Sequence, residues 1–297
     1  LLGMLLAGII PSWRPPFIMV SVPNFFLAPL FYIIVDEPKK GEGDRALEKI
    51  YEKGVEYTYR LSWEAVVRSF TTRTNVLIFI QGILGTVPWG IIVYWLVSFL
   101  EVTRGLDKTS ATFVLLILGV ATVIGSLVGG ILGDIFENRR RGGRAILTGL
   151  AIFIGMFATI GLILYPIPNQ LTLKDWVFIA IYSIVLIQLV SYAGPNVRAI
   201  ISQVNPPEDR GTVFGVFNIM DNIGKAIGPY LGGLLIEILM HMGYTEPEAY
   251  MWTMIYGSLF WIPCAAVWIW LVRWYPRDKE ALDKILEERA KMLLAKT

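Results

Sequence analysis

The sequence is poor in the residues that build most catalytic and metal sites. It contains one cysteine, Cys264, and one histidine, His241. Disulfides, thiolate clusters and metal sites with several histidines are therefore excluded. A nucleophile with a neighbouring base is not evident, and neither are paired acids on facing helices. We therefore expect no enzymatic activity, no metal and no other cofactor.

Charge is also scarce, and long apolar runs take its place. Only 17% of the residues are charged and 55% are hydrophobic, whereas soluble domains carry about 25% charged residues. A helix needs about 20 apolar residues to cross a bilayer. Seven runs meet this requirement: 17–35, 76–100, 111–133, 145–165, 176–197, 212–240 and 251–272. They predict an all-α polytopic protein in a lipid bilayer.

Residues 1–11, LLGMLLAGIIP, form a shorter apolar run that ends at a proline. The run lacks the basic flank and the small-residue cleavage site of a signal peptide, and no initiator methionine precedes it. We expect it to be the end of an eighth span, so that the sequence is a fragment whose beginning is missing.

The distribution of basic residues orients the chain. Membrane proteins concentrate Lys and Arg in their cytoplasmic loops. If the run 17–35 exits into the cytoplasm, most of the 26 Lys and Arg residues lie inside, and Arg14, Arg104, Lys108 and Lys174 lie outside. We therefore expect a multi-pass protein of the plasma membrane with a cytoplasmic carboxy terminus. Since the basic residues follow the membrane, we expect no nucleic-acid partner.

Two polar segments interrupt the apolar pattern. Residues 36–73 contain the amphipathic stretches DRALEKIYEK and LSWEAVVRSF, which predict short helices in a cytoplasmic linker. Residues 273–297 place Leu282, Ile285 and Leu286 near one helix face and carry charges of both signs elsewhere. This pattern predicts a solvated or interfacial helix in a cytoplasmic tail.

Glycines recur every four residues in two of the spans. Small residues at this spacing allow helices to pack closely in lipid, so we expect both rows at helix contacts. The rows are Gly125, Gly129 and Gly133, then Gly224, Gly228 and Gly232. Pro88 and Pro195 are expected to interrupt their helices, either as structural kinks or as breaks that line a cavity.

The stretch FNIMDNIGKAIG places an acid and a lysine inside a membrane span. At 1.5 Å per residue, Asp221 lies about 15 Å beyond Gly211, near the middle of a hydrocarbon core about 30 Å thick. One helix face carries Asn218, Asp221, Asn222 and Lys225. Asp221 and Lys225 can simply pair one turn apart. Alternatively, Asp221 carries a proton or holds a cationic group on a transport path, or the face forms a gate.

The stretch GGILGDIFENRRRGGRAIL, 129–147, connects two spans. It resembles the signature loop of the major facilitator superfamily, although the spacer between the acid and the basic cluster is longer than the usual pattern. The matching residues are Gly130, Asp134, Arg139, Gly142 and Arg144. The resemblance makes this loop a candidate conformational latch, and the binding of lipid phosphates is the alternative role of its arginines.

Further stretches extend the resemblance to the whole chain. Residues 12–44 look like the family's sixth helix and the start of its central loop, and 206–218 look like the turn into its eleventh. Residues 80–116 are similar to spinster-like members. The resemblance implies the end of helix five and helices six to twelve of a twelve-helix major facilitator fold.

The implied division of the chain has four parts. These are the end of the amino-terminal half, 1–35; the linker, 36–73; the carboxy-terminal six-helix half, 74–272; and the tail, 273–297. The resemblance also implies that the two halves move around a central cavity, so that the missing amino-terminal half is a partner of the half present.

Helices seven and ten border the central cavity in the family. Their polar and aromatic residues are therefore candidates to bind a solute: Gln81, Trp89, Tyr94, Tyr182, Gln188, Tyr192, Asn196 and Arg198. Packing or anchoring at the membrane interface is the alternative for the aromatics, and Arg198 can also snorkel to lipid headgroups.

The resemblance implies secondary active transport of a small organic or amphiphilic solute by alternating access, coupled to protons. Facilitated diffusion is the close alternative. A receptor or scaffold without transport activity on the same fold is the other, because fold does not determine function.

Overall fold

The computed structural model describes residues 14–36, 40–60 and 63–295. Within these ranges the chain is helical and contains no strand. The α-helices are α1 Arg14–Ile34, α2 Glu48–Glu52, α3 Trp63–Thr71, α4 Arg73–Arg104, α5 Lys108–Arg139, α6 Gly143–Leu164, α7 Leu173–Val185, α8 Ala193–Val204, α9 Arg210–His241, α10 Glu246–Leu259 and α11 Trp261–Leu294. Short 3₁₀ helices occupy Arg45–Leu47 and Ile187–Tyr192.

Seven segments of the described chain are long and apolar enough to cross a membrane. They are Phe17–Ile34, Arg73–Arg104, Lys108–Arg139, Gly143–Leu164, Leu173–Val204, Arg210–His241 and Glu246–Leu294. Each overlaps one of the seven predicted runs, and the all-α prediction is confirmed. The run 1–11, which we expect to end a further span, lies outside the described residues.

The chain divides into two compact units, Leu1–Glu42 and Gly43–Thr297. The first contains α1, which carries Pro23 and Pro29 in its interior and exposes apolar side chains such as Phe25. The second contains α2 to α11. The predicted linker therefore falls largely within the second unit.

Local sequence signals set the ends of several membrane helices. Asp107 caps α5 by accepting a hydrogen bond from the Ser110 backbone N–H at 3.0 Å. Thr172 and Thr245 begin α7 and α10 with capping boxes, in which an acid three residues later binds back to the cap. Gly105 ends α4 in the left-handed conformation, with a φ of 67°.

Both glycine rows lie at close helix contacts, as predicted. A Cβ on Gly228 of α9 would stand 2.6 Å from the Val87 carbonyl oxygen and 2.7 Å from the Cα of Gly90, both on α4. A Cβ on Gly129 of α5 would stand 2.7 Å from the Tyr192 ring. The rows therefore allow two helix pairs to approach more closely than any side chain would permit.

The helix breaks differ from the prediction. α4 continues through Pro88, which is buried inside it, so this proline does not interrupt its helix. The span Leu173–Val204 does break, but the 3₁₀ turn Ile187–Tyr192 precedes Pro195. A further break at Phe260 separates α10 from α11. Two of the spans are thus discontinuous.

The carboxy-terminal tail is a helix with one buried face and one exposed face. α11 runs without a break through residue 273, so the expected boundary of the tail lies inside a helix. Leu282 and Leu286 of this extension are buried in one cluster with Leu47 and Ile50 of the linker. The sequence pattern identified the apolar face correctly, but the face is covered by the protein's own linker.

A hydrogen-bonded cluster of Tyr57, Glu208 and Arg289 fixes the linker to the turn before α9. The Tyr57 hydroxyl donates to Glu208 Oε2 at 2.9 Å, and Arg289 Nη1 lies 2.6 Å from both the Tyr57 hydroxyl and Glu208 Oε1. Burial, followed by the charge of Glu208, raises the pKa of the Tyr57 hydroxyl, which therefore stays protonated. Linker, turn and α11 are joined in one structure.

Candidate functional site

The contact between α4 and α9 positions the intramembrane acid. Thr86 of α4 donates its hydroxyl to the backbone carbonyl of Asp221 at 2.8 Å. Gly224, one turn further along α9, leaves room for the Thr86 side chain, because a Cβ there would stand 2.2 Å from the Thr86 hydroxyl. The backbone around Asp221 is therefore held by a packed helix pair.

A cavity of about 290 Å³ opens beside this contact. Hydroxyl, amide and charged groups share its wall with the aromatic rings of Trp89, Phe217 and Trp261. Its polar side chains are Gln81, Thr86, Thr122, Ser126, Ser191, Asp221 and Lys225. The cavity thus brings together four residues predicted from the sequence: Gln81, Trp89, Asp221 and Lys225.

Asp221 and Lys225 form an ion pair across one helical turn. Lys225 Nζ donates to Asp221 Oδ2 at 2.5 Å. The side chain of Asp221 is 20% exposed and that of Lys225 is 51% exposed. The pair is therefore formed in this conformation, yet both charges remain accessible from the cavity.

The remaining polar and aromatic wall is built around Gln81. The indole N–H of Trp268 donates to Gln81 Oε1 at 3.1 Å, which fixes the amide. Trp261, next to the break at Phe260, donates its indole N–H to the Gly85 carbonyl at 3.1 Å and meets Trp89 edge to face at 6.0 Å. Trp89 and Trp261 also line a smaller apolar cavity of about 40 Å³.

Three predicted cavity residues pack against the α5 glycine row instead. Gln188 lies against Gly125, and Tyr192 against Gly129. Asn196 is fully buried, and its amide N–H groups donate to the carbonyls of Gly129 at 3.0 Å and Tyr192 at 2.7 Å. None of the three lines the cavity. Their present contacts are those of packing residues.

The other predicted residues lie outside the cavity wall as well. Tyr182 donates its hydroxyl to the Ala158 carbonyl at 2.9 Å, and Asn222 donates to the Asn218 carbonyl on its own helix at 2.7 Å. Tyr94 is exposed and meets Trp95 edge to face at 5.0 Å. Arg198 is exposed.

The first turn of α6, which follows the short loop after α5, contains a buried arginine. Arg144 is 3% exposed and donates to Asn196 Oδ1 at 3.0 Å and to Asp134 Oδ1. Gly133 leaves room for this contact, because a Cβ there would stand 2.0 Å from Asn196 Oδ1. Asn196 therefore joins the predicted latch residues Asp134 and Arg144.

The other residues of the loop shape its turn. Gly142 adopts a φ of 75°, which favours glycine, and Glu137 accepts the backbone N–H groups of Gly142 at 3.4 Å and Arg144 at 3.2 Å. A Cβ on Gly130 would lie 3.4 Å from Pro195, an ordinary contact. Arg139 is exposed.

The family model of the Major Facilitator Superfamily matches residues 1–187 and again 157–295. These matches cover more than half of the chain. The chain belongs to the Major Facilitator Superfamily. The resemblance inferred from the signature loop is therefore confirmed, and members of this superfamily are transporters rather than enzymes.

A curated member of the superfamily is similar over much of the chain. The probable galactarate/D-glucarate transporter of Bacillus subtilis (strain 168) is 23% identical over 237 residues, which are 76% of this chain and 50% of that protein. The chain thus spans about half the length of this relative.

Two solved superfamily structures share the fold. Both are crystal structures of a bacterial homolog of the human lysosomal transporter Spinster in inward-facing conformations. The unoccupied form gives a TM-score of 0.63 at 18% identity, and the occupied form 0.57 at 16% identity. Each match covers 93% of this chain, and 63% and 64% of the respective structures. The expected spinster-like fold is confirmed.

We expect Arg144→Leu to destabilise this superfamily member by about 2 kcal/mol or more, because Asn196 Oδ1 loses its buried charged donor. Arg141→Leu is the matched control. Arg141 is 80% exposed and pairs with the half-exposed Glu280, so its loss is expected to cost less than about 1 kcal/mol. The midpoint of thermal unfolding in detergent measures both. Equal shifts would contradict a stabilising role of the buried contact between Arg144 and Asn196.

Sequence reasoning missed several residues of the cavity wall, among them Thr122, Ser126, Ser191 and Trp261. Thr122 and Ser126 flank Gly125 on α5, so hydroxyls next to a glycine row were the available signal. Ser191 lies in the 3₁₀ turn, which the sequence placed too far along the chain. Trp261 follows the helix break at Phe260, which Gly257 and Pro263 flank on either side.

Proposed function

We propose that the protein carries a small organic or amphiphilic solute across the membrane by alternating access, coupled to protons. One observation carries the proposal: the accessible ion pair Asp221–Lys225 lies in a cavity between membrane helices. Charges at the depth of a bilayer are costly and face a water-filled path or a partner. The membership in a superfamily of transporters supports the same function.

Asp221 is the proposed proton carrier. When its carboxylate binds a proton, the ion pair with Lys225 loses its negative partner and the ammonium group becomes available to a solute. When the proton leaves, the pair closes again and the solute is released. The distance of 2.5 Å between the carboxylate and the ammonium group supports this exchange of partners. Because both side chains are partly exposed, a proton and a solute can reach them from the cavity.

The cavity wall suits a solute that carries hydroxyl and carboxylate groups. Thr122, Ser126 and Ser191 supply hydroxyls, and Lys225 supplies a positive charge. The curated relative is named for galactarate and D-glucarate, which are polyhydroxylated dicarboxylates. We therefore propose hydroxylated organic acids as the first solutes to test. The rings of Trp89 and Trp261 leave room for a more apolar solute in the same cavity.

We propose the topology that the basic residues predict. The loop between α5 and α6 and the extension of α11 lie in the cytoplasm, and the protein resides in the plasma membrane. In this division, 1–35 ends one helical half, 36–73 is the linker, 74–272 is the second half and 273–297 is the tail. Alternating access requires a first half opposite the polar face of α9, and this half is the proposed partner of the latch loop.

Uptake into proteoliposomes tests the function. We expect the reconstituted protein to take up labelled D-glucarate or galactarate in a saturable manner, and faster when the outside is acidic. If the rate of uptake did not depend on the pH gradient, facilitated diffusion would be indicated. Saturable binding of these acids without any uptake would indicate a receptor and contradict the proposal.

A further inference from the structure

A cluster of three arginines surrounds one tryptophan. It lies at the start of α4 and at the point on α11 where the apolar sequence gives way to charged residues. The guanidinium carbon of Arg73 lies 3.9 Å from the centre of the Trp274 ring. Those of Arg273 and Arg277 lie 5.4 and 5.2 Å from it. These cation–π contacts gather three positive charges at one indole.

None of the three guanidinium groups forms an ion pair with a carboxylate of the described residues. Asp278, the adjacent acid, is held by the backbone N–H of Thr74 at 3.0 Å and by its hydroxyl at 2.5 Å. Three positive charges gathered around one ring repel each other. An external anion bound between them would reduce this repulsion, so the arrangement is suited to such an anion.

Apolar stripes lead from the cluster into the membrane. On α11 the exposed residues Ile262, Ile269 and Trp270 precede Arg273 and Arg277 at helical spacing on one face. On α4 the exposed residues Val76 and Ile80 follow Arg73 on one face. Each face is thus basic at its polar end and apolar along the depth of the hydrocarbon.

We propose that this cluster, Arg73, Arg273, Arg277 and Trp274, binds the headgroup of an anionic phospholipid. The phosphate takes the place of the missing carboxylate, and the indole lies at the interface between headgroup and acyl chains, where tryptophan is favoured. The acyl chains run along the exposed apolar stripes of α4 and α11. A free phosphate would gain nothing from these stripes, so the contiguous apolar surface favours a lipid.

The orientation proposed above agrees with this occupant. It places the cluster at the cytoplasmic face, where anionic lipids give the membrane a negative surface potential and each nearby Lys or Arg adds to the attraction. The cluster is distinct from the cavity, because none of its residues lines it. Lipid binding and the proposed transport function are therefore tested by different variants.

Lipid titration of the purified full protein in a neutral detergent tests the proposal. The ligands are dioleoyl phosphatidylglycerol, dioleoyl phosphatidylcholine and inorganic phosphate, and native mass spectrometry counts the bound lipid. We expect phosphatidylglycerol to be retained in preference to phosphatidylcholine. The variant with Arg73→Gln, Arg273→Gln and Arg277→Gln is expected to bind it at least about tenfold more weakly.

The matched control removes the same charge from the exposed lysines Lys53, Lys284 and Lys291. It is expected to bind phosphatidylglycerol like the unaltered protein. If both triple variants lost phosphatidylglycerol binding equally, general surface charge would explain the effect and the proposal would be contradicted. If phosphatidylcholine were retained as well as phosphatidylglycerol, the site would not select an anionic headgroup. Displacement of the lipid by millimolar phosphate would identify a soluble anion as the ligand. If the triple variant does not fold, Arg277→Gln alone must still weaken binding measurably more than Lys284→Gln.

Discussion

Replacing Asp221 by asparagine is expected to reduce pH-driven uptake to the level of liposomes without protein, while exchange of solute across the membrane continues. Asparagine keeps the size of the side chain and can still accept a hydrogen bond from Lys225, but it cannot take up and release a proton. The backbone carbonyl of residue 221 keeps its bond from Thr86. The cavity and its helix contact therefore survive, and only the coupling is removed.

Glu237→Gln is the matched control for this variant. Glu237 lies on the same helix and is 70% exposed, and its Oε1 lies 3.8 Å from His241 Nε2. Its neutralisation is expected to change neither driven uptake nor exchange. If Asp221→Asn lost both activities, the pair would be needed for solute binding or folding; if it lost neither, Asp221 and Lys225 would be only a structural ion pair.

Replacing Gly228 by alanine is expected to destabilise the protein by about 3 kcal/mol or more, near the upper end of the cost of overpacking. The added methyl group would meet the Val87 carbonyl oxygen at 2.6 Å and the Gly90 Cα at 2.7 Å. Both are backbone atoms, so no side chain can rotate away. α4 and α9 must separate, and the cavity wall moves with them.

Gly215→Ala tests the same change on the same helix without the contact. A Cβ on Gly215 has no neighbour within 4 Å, and alanine is the better helix former by about 1 kcal/mol. We expect Gly215→Ala to be neutral or slightly stabilising in thermal unfolding. A comparable loss of stability in the two variants would show that close approach of α4 and α9 does not depend on Gly228.

The sequence predicts the membrane spans and both glycine rows, because each follows from a regular spacing along one helix. Length and apolarity define a span, and a period of four residues places Gly224, Gly228 and Gly232 on one face. The depth of Asp221 and its pairing with Lys225 are also local properties of α9. These features needed no knowledge of other helices.

The sequence does not predict contacts that depend on tertiary packing. Asn196 and Tyr192 carry the polarity expected of a cavity residue, yet the α5 glycines accept them at a buried helix contact. The tail shows the same limit, since its apolar face meets Leu47 and Ile50 of the linker, far away along the chain. Pro88 was expected to break α4, but it lies buried inside a continuous helix.

The most direct test of coupled transport through this cavity is the internal pH of proteoliposomes when a transported solute is added outside. The account predicts a solute-dependent pH change with the unaltered protein and none with Asp221→Asn. Solute entry without a pH change in the unaltered protein, or an equal pH change in both, would contradict the role of Asp221 in coupling.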